Sequence, residues 1–435
     1  MSALARYFSA KGISVSGYDK ARTALTAQLE KEGVKIHYED NIDLADKDAD
    51  LAVYTPAIPK DHRELNYYQQ RNYPLVKRSD VLEEISNNSF NICVAGTHGK
   101  TTISAMIAHI LRDSGYGCNA FLGGISANYN TNFWSSENDV CVIEADEFDR
   151  SFLKLKPDVA VISAMDADHL DIYGTLDAMQ DAFVDFSGKI KKDGLLISKY
   201  GLKKDAAFST PRHLRYCLQN TSADAYASDI TASKGGYRFT VSVSGWSIDN
   251  MVLQMGGMHN VENAVAAISV AHHLQIDKDK IRSAIGNFKG VKRRFEYIIK
   301  TDSLVFIDDY AHHPEELRAL ISSARNLFSD RRCTVIFQPH LFTRTRDFAK
   351  EFAEVLDIAD EVILLPIYPA RELPVEGVSS ELILNEMKNK NKSIKTKEQV
   401  LDFVKEKTKS TLFITAGAGD IDGMVAPLKQ IIQGK

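Results

Sequence analysis

The chain has no uninterrupted apolar run approaching the roughly 18 residues that span a membrane, and it opens without the short apolar core that directs export. Neither a membrane span nor secretion is supported, and a cytoplasmic protein is expected. Cysteine is scarce: Cys93, Cys118, Cys141, Cys217 and Cys333 stand far apart, with no C-x-x-C pair and no metal-ligand spacing. That argues against a disulfide framework or a zinc cluster and predicts reduced core thiols. Neither sign of charge prevails. With 53 Lys and Arg against 58 Asp and Glu, the formal net charge is -5, which speaks against an extended nucleic-acid surface. A local cluster such as Lys292, Arg293 and Arg294 could still bind phosphate. Internal repeats and low-complexity linkers are missing too. What remains is a globular composition, 44% hydrophobic over 435 residues. A chain of that length exceeds one core and divides into roughly two to four domains.

Residues 92–102 read I-C-V-A-G-T-H-G-K-T-T. An apolar, strand-like run enters a tight turn containing Gly96 and Gly99, and Ile103, Met106, Ile107, Ile110 and Leu111 then recur at helical spacing until Gly115. Strand, glycine loop and helix in that order cradle phosphate, because unpaired amides and the positive end of the helix dipole face the anion. Gly96, Thr97, His98, Gly99, Lys100, Thr101 and Thr102 are therefore candidate nucleotide contacts. Lys100 would reach the β/γ-phosphates of ATP and the Thr101 hydroxyl would bind Mg²⁺. The usual phosphate-loop pattern has glycine where Val94 stands, so the match is to a variant.

Around this loop the sequence alternates strand-like and helix-like segments, an α/β pattern with mostly parallel sheets. In residues 1–88, a helix over 2–11 is followed by a strand over 13–17, a helix over 22–32 and strands over 34–36 and 51–54. Asp19 follows the first strand, where dinucleotide folds place a ribose-binding carboxylate and where a solvated turn would serve equally. In residues 89–295, a strand over 139–143 delivers Glu144, Asp146, Glu147 and Asp149, four carboxylates that a shared cation would relieve. A second strand, over 158–164, ends in Asp166, Asp168, His169 and Asp171. A helix over 176–187 and strands over 237–243 and 251–255 lead to a helix beginning near His259 and Asn260, which read alone as a helix cap. Residues 296–435 resume the alternation as a doubly wound domain: strands over 304–307, 333–337, 361–365 and 411–415, and helices over 314–328 and 345–357. Pro314 suits a first helical turn. His312 and His313 precede it, and His340, Arg344 and Arg346 follow the next strand, supplying cations for phosphate or carboxylate.

Taken together, G-T-H-G-K-T-T, E-A-D-E, D-H-L-D, G-x-H-N-x-x-N-A, G-x-x-R-R-F-E, D-Y-A-H-H-P, Q-P-H-L-F-T-R-T-R and G-A-G-D resemble, in order along the whole chain, the motifs of the Mur ligase family, which builds the bacterial cell-wall peptide. The histidine within the loop resembles the branch that attaches L-alanine to UDP-N-acetylmuramate. The resemblance implies three domains: a Rossmann-like UDP-sugar-binding domain (1–88), a central P-loop ATPase-type domain (89–295) and a C-terminal domain (296–435) that closes over it. It implies ATP and Mg²⁺, with Glu144 and His169 joining Thr101 at the metal, and Asn260, Asn263 and Asp309 at the nucleotide. Asp19, Arg293, Arg294, His340 and Arg344 would meet substrate, and His312 or His313 would take the amine proton. UDP-N-acetylmuramate and L-alanine are the expected partners of a monomer or weak homodimer. Two departures stand out. Leu341 occupies a place where the family commonly has arginine. A strand and a turn resembling G-I-G-G-I-G are expected before M-S-A-L-A, so Met1 is expected to be an internal methionine of a longer natural protein. Competing readings are the murein-peptide recycling branch, which adds a ready-made tripeptide, and a nucleotide-binding protein without ligase turnover.

Overall fold

The computed structural model describes the chain apart from residues 56–57, 168–169, 234, 371, 407–410 and 435, and the side chains at 24, 149, 170 and 171. In the first region the helix Ser2–Ala10 precedes two parallel strand pairs, Ser16–Tyr18 with Lys35–His37 and Ala52–Tyr54 with Leu75–Lys77. The single sheet expected there is divided, since no ladder joins the pairs among the described residues. The strand expected over 13–17 is displaced as well. Gly12 turns out of the helix at φ +78, Ile13 is left 52% exposed, and pairing starts only at Ser16, opposite Lys35.

A ten-stranded sheet dominates the centre. Its order is Trp246–Leu253, Gly236–Val243, Ala225–Ser233, His213–Cys217, Leu195–Lys199, Val159–Ile162, Phe90–Ala95, Val140–Glu144, Asn119–Ser126 and Thr131–Trp134. All neighbours pair in parallel except at the two edges, where Gly236–Val243 and Thr131–Trp134 turn back. Buried apolar runs such as Ile92 to Ala95 suit strands covered on both faces. The edge strand expected over 251–255 begins earlier, at Trp246. Ser244 and Gly245, at φ +45 and +85, make the two-residue hairpin turn that pairs Val243 with Trp246. Polar alternation along Trp246–Asn250 had hidden its first half. The helix Lys100–Asp113 buries Ile103, Met106, Ile107, Ile110 and Leu111 to 1% exposure or less, against Met258–His273. Each such side chain contributes about 1.5–3 kcal/mol, so the loop ahead of this helix rests on a rigid base.

The last sheet runs Glu296–Lys300, Val305–Asp309, Leu412–Ala416, Cys333–Phe337, Glu361–Leu364 and Lys392–Ile394, parallel except for its first strand. Leu412–Ala416 inserts between two strands that follow each other around the helix Pro314–Leu327, creating a switch point at the strands' carboxyl ends. The single helix expected over 345–357 is two, Phe342–Asp347 and Ala349–Leu356, broken where Phe348 takes φ -122, ψ 20 and meets the His313 ring edge to face.

Candidate active site

The strand Phe90–Ala95 lies between Val140–Glu144 and Val159–Ile162, so its carboxyl end is the switch point of the central sheet, the place where open parallel sheets bind ligands. From Ala95 the chain turns through Gly96 (φ +134) and Gly99 (φ +83) into the helix Lys100–Asp113. Both positions need glycine for space as well as for conformation. A Cβ at 96 would stand 2.8 Å from the Ala164 nitrogen, and one at 99 would stand 2.9 Å from Asn263 Oδ1. The Thr97 amide donates to the Ala164 carbonyl and its hydroxyl accepts from the Asp166 amide, each at 3.1 Å. The Ser163 hydroxyl donates to the His98 carbonyl, which ties the loop to the neighbouring strand end. No side chain caps the helix at Gly99.

Lys100 Nζ donates to the Gly96 carbonyl at 2.7 Å and to Glu147 Oε1 at 2.6 Å. The Thr101 hydroxyl donates to Glu144 Oε1 at 2.9 Å, and Glu144 Oε2 accepts from the Gly123 amide at 2.8 Å. Of the four carboxylates expected to share a cation, that of Asp149 lies outside the described residues and the other three are not gathered. The chain coils into a 3₁₀ turn, Phe148–Lys154, directly after the strand. Glu144 therefore faces Thr101, Asp146 caps the Phe148 amide at 3.1 Å, and Glu147 is buried beside Lys100. Among the described residues no three of His, Cys, Asp and Glu converge as a metal cage. His169, expected as a metal ligand, and its neighbour Asp168 lie outside the described residues. Thr101 and Glu144 still offer adjoining oxygens, the donor type a small hard cation such as Mg²⁺ takes.

A cavity of about 460 Å³ opens in front of the loop. Thr97, His98, Gly99, Lys100, Thr101, Thr102, Glu144, Asn260 and Asn263 line it from the central domain, Arg294 from the interdomain link, and Asp309 and Glu316 from the last domain. Ser163, Lys199, Tyr216, His259, Glu262 and Glu315 line it too and were not singled out as contacts in the sequence. Position was the available signal for Lys199, which ends the buried parallel strand Leu195–Lys199 and pairs with Glu262 at 2.9 Å. Asn260 does not cap its helix. Gly257 holds the cap position, while Asn260 Nδ2 donates to the Gly256 carbonyl at 2.7 Å and Asn260 Oδ1 accepts from Asn263 Nδ2 at 3.1 Å. His259 is exposed to the cleft, yet the protein crowded around it displaces enough water that desolvation, with Arg294 and Lys199 nearby, lowers its pKa to about 4.

The link into the last domain is clasped by two acids, Asp308 buried and Asp309 half-buried. Arg293 Nε meets Asp308 Oδ2 at 3.3 Å, its Nη2 donates to the Gly417 carbonyl, and Asp308 Oδ1 accepts from Thr415 at 2.6 Å. Asp309 accepts from the Phe295 and Ala311 amides at 2.6 and 2.7 Å. Burial pushes Asp308 up to about 7 and Asp309 up to about 6. Arg293, expected at substrate, is thus engaged within the protein, whereas Arg294 lies on the Tyr310 ring at 5.6 Å and faces the cavity.

His340 and Arg344 form a second, adjoining set. The His340 ring lies 5.8 Å from that of His312 and is stacked on Tyr368. His340 Nδ1 and Arg344 Nη1 are buried without hydrogen-bond partners among the described residues. Burial, then the charges of His312 and Arg344, lowers His340 to about 4. His312 is also lowered by burial, and its Nδ1 lies 2.9 Å from the Tyr310 carbonyl. His313 is turned toward Phe348 instead. Leu341 heads the Arg344 helix at φ +69. Asp19 is apart from both sets, exposed at the end of Ser16–Tyr18 and accepting from the Ala21 amide at 3.2 Å.

A phosphate-type loop facing an acid- and arginine-bearing doubly wound domain across one cleft defines a nucleotide-dependent α/β enzyme. Known proteins narrow that class. Residues 1–90 match the Mur ligase family catalytic domain, 94–271 the Mur ligase middle domain and 293–419 the Mur ligase glutamate ligase domain. The UDP-N-acetylmuramate–L-alanine ligase of Porphyromonas gingivalis strain W83 is 46% identical over 440 residues, covering 100% of this chain and 96% of its own. The same-named enzyme of Flavobacterium johnsoniae is 45% identical, over 99% and 95%. The crystal structure of UDP-N-acetylmuramate-alanine ligase from Thermotoga maritima superposes with TM-score 0.85 at 28% identity, covering 100% of this chain and 96% of that one. A murein peptide ligase from Psychrobacter arcticus shares the fold, with TM-score 0.70 at 23% identity over 100% and 97%. The chain belongs to the Mur ligase family.

Proposed function

We propose that this chain is an ATP-dependent amide ligase that joins L-alanine to UDP-N-acetylmuramate in peptidoglycan-precursor synthesis in the cytoplasm. The observation that carries the reading is the cleft in which the Lys100–Thr101–Glu144 loop site faces Arg294 at the interdomain link and Asp309 and Glu316 of the last domain, with His340 Nδ1 and Arg344 Nη1 nearby, buried without hydrogen-bond partners among the described residues. The proposed domain limits are 1–88, 89–295 and 296–435. The muramic carboxylate attacks the γ-phosphorus of ATP, ADP leaves, and the resulting acyl phosphate loses phosphate to the alanine amine. Loop amides and Lys100 stabilise charge spread over the transferring phosphoryl group. Thr101 and Glu144 would hold Mg²⁺, which neutralises phosphate charge when bound. Asn260, Asn263 and Asp309 border the nucleotide, Asp309 while clasping the interdomain link.

Arg344, with a buried Nη1 in want of an acceptor, fits the alanine carboxylate, and His340 lies beside it. His312 suits the amine proton better than His313, because an Nδ1–H donated to the Tyr310 carbonyl leaves Nε2 to accept, and burial keeps the ring neutral. Phosphate release measured with UDP-N-acetylmuramate and L-Ala, Gly, L-Ser or L-Ala-γ-D-Glu-meso-diaminopimelate tests the proposal. L-Alanine should give the highest kcat/KM. Turnover with the tripeptide alone would assign the recycling reaction, and none with any would leave a nucleotide-binding protein.

A further inference from the structure

Glu147 has no part in the reaction as proposed above, yet it touches the residue on which that reaction most depends. We infer that Glu147 is a positioning residue that fixes the Lys100 ammonium on the phosphate loop, an inference that rests on the ligase reading. Its side chain is 1% exposed and that of Lys100 15% exposed, with 2.6 Å between Oε1 and Nζ. The backbone at Glu147 is itself pinned, since its carbonyl accepts from the Tyr173 hydroxyl at 2.7 Å and from the Arg150 amide at 3.0 Å. The carboxylate therefore cannot follow the lysine outward. Its Oε2 is buried with no hydrogen-bond partner among the described residues, so Lys100 is the one cation seen to compensate it.

That arrangement decides between two behaviours. If Lys100 swung away to meet a phosphate, Glu147 would be left as a buried, uncompensated charge, which is strongly unfavourable. An ammonium has three N–H donors. Gly96 and Glu147 take two, and the third is available to the cavity that Lys100 lines. Lys100 thus keeps both internal partners and presents one N–H in a fixed direction. Glu147 also offsets part of the lysine's charge, so it adds nothing to the affinity for bound nucleotide. Its effect falls on the step that needs the ammonium in place, when charge moves onto the transferring oxygens.

Glu147→Gln, close in shape but neutral, separates positioning from support of the fold. ATP and ADP affinity by titration calorimetry should stay within about threefold of the parent or tighten, while kcat falls by about tenfold or more. Should that variant fail to fold, Glu147→Asp keeps the charge but draws the carboxylate back by one methylene, and the same divergence of kcat from affinity is expected. Parallel loss of affinity and kcat would make Glu147 merely structural, and an unchanged kcat would overturn the inference. Lys100→Ala, assayed beside them, tells the two failures apart: if it too remains active, the phosphate-loop reading itself is wrong.

Discussion

Gly99→Ala is the sharpest test of the loop's geometry. Gly99 holds φ +83, a left-handed conformation that costs an alanine about 1 kcal/mol. The new methyl would also stand 2.9 Å from Asn263 Oδ1. Asn263 can yield only by giving up its 3.1 Å hydrogen bond to Asn260, worth about 1 kcal/mol. The total near 2 kcal/mol is met by loss of stability or by the loop leaving its phosphate-cradling shape. Taken wholly by the second route, it weakens nucleotide binding about 30-fold. Titration calorimetry with ADP and Mg²⁺, paired with a thermal melt, reads both routes. Gly115→Ala is the control, since Gly115 has φ +79 with no neighbour within 4 Å and lies at the far end of the helix. It should lower stability without changing affinity. ADP affinity within about twofold of the parent and an unchanged melt for Gly99→Ala would refute the reasoning.

Arg293→Ala should destabilise the chain by about 3 kcal/mol in urea unfolding, because it leaves the buried Asp308 carboxylate without its cation and the Gly417 carbonyl without its donor; a loss below about 1 kcal/mol would mean the clasp is ornamental. Arg344→Lys should raise KM for L-alanine by about tenfold or more at similar ATP KM, since a point charge cannot replace a planar fork; an unchanged alanine KM would move the carboxylate contact elsewhere. Folded His340 titrates near 4, below its unfolded value of about 6.5, so the unfolded chain binds protons first and stability falls as pH drops through that window. His340→Gln should flatten that slope, and an identical slope in parent and variant would contradict the burial argument. Asp308 has the opposite sign: raised to about 7, it contributes stability that is present at low pH and lost as pH rises through that value.

What was legible in the sequence is largely what is local. Gly96, Gly99 and Lys100 announce a strand–loop–helix turn within a dozen residues, and the structure has that turn at the switch point. The parallel α/β class followed from buried strand runs and helical spacing. Partnerships set by distant chain were not legible. Arg293 looked like a free cation because Asp308 and Gly417 reach it only through the sheet order of the last domain. Glu147 looked like a fourth metal carboxylate because nothing in E-A-D-E shows that the following turn sends it to Lys100. The break at Phe348 escaped notice for a similar reason. Glu372, far along the chain, accepts the Thr343 amide at 3.0 Å and starts the Arg344 helix early. His312 and His313 could be distinguished only once their rings were seen to face His340 and Phe348.

In the proposed reaction the sugar carboxylate is activated by phosphoryl transfer at the loop before the amine attacks. UDP-N-acetylmuramate labelled with ¹⁸O in that carboxylate tests it directly, with ATP, Mg²⁺ and L-alanine present and the released phosphate read by mass spectrometry. An oxygen that has bonded to the γ-phosphorus stays with phosphate when the amide forms. Each phosphate released should carry one carboxylate oxygen, at the isotopic enrichment of the substrate. Amide formation with unlabelled phosphate would contradict it.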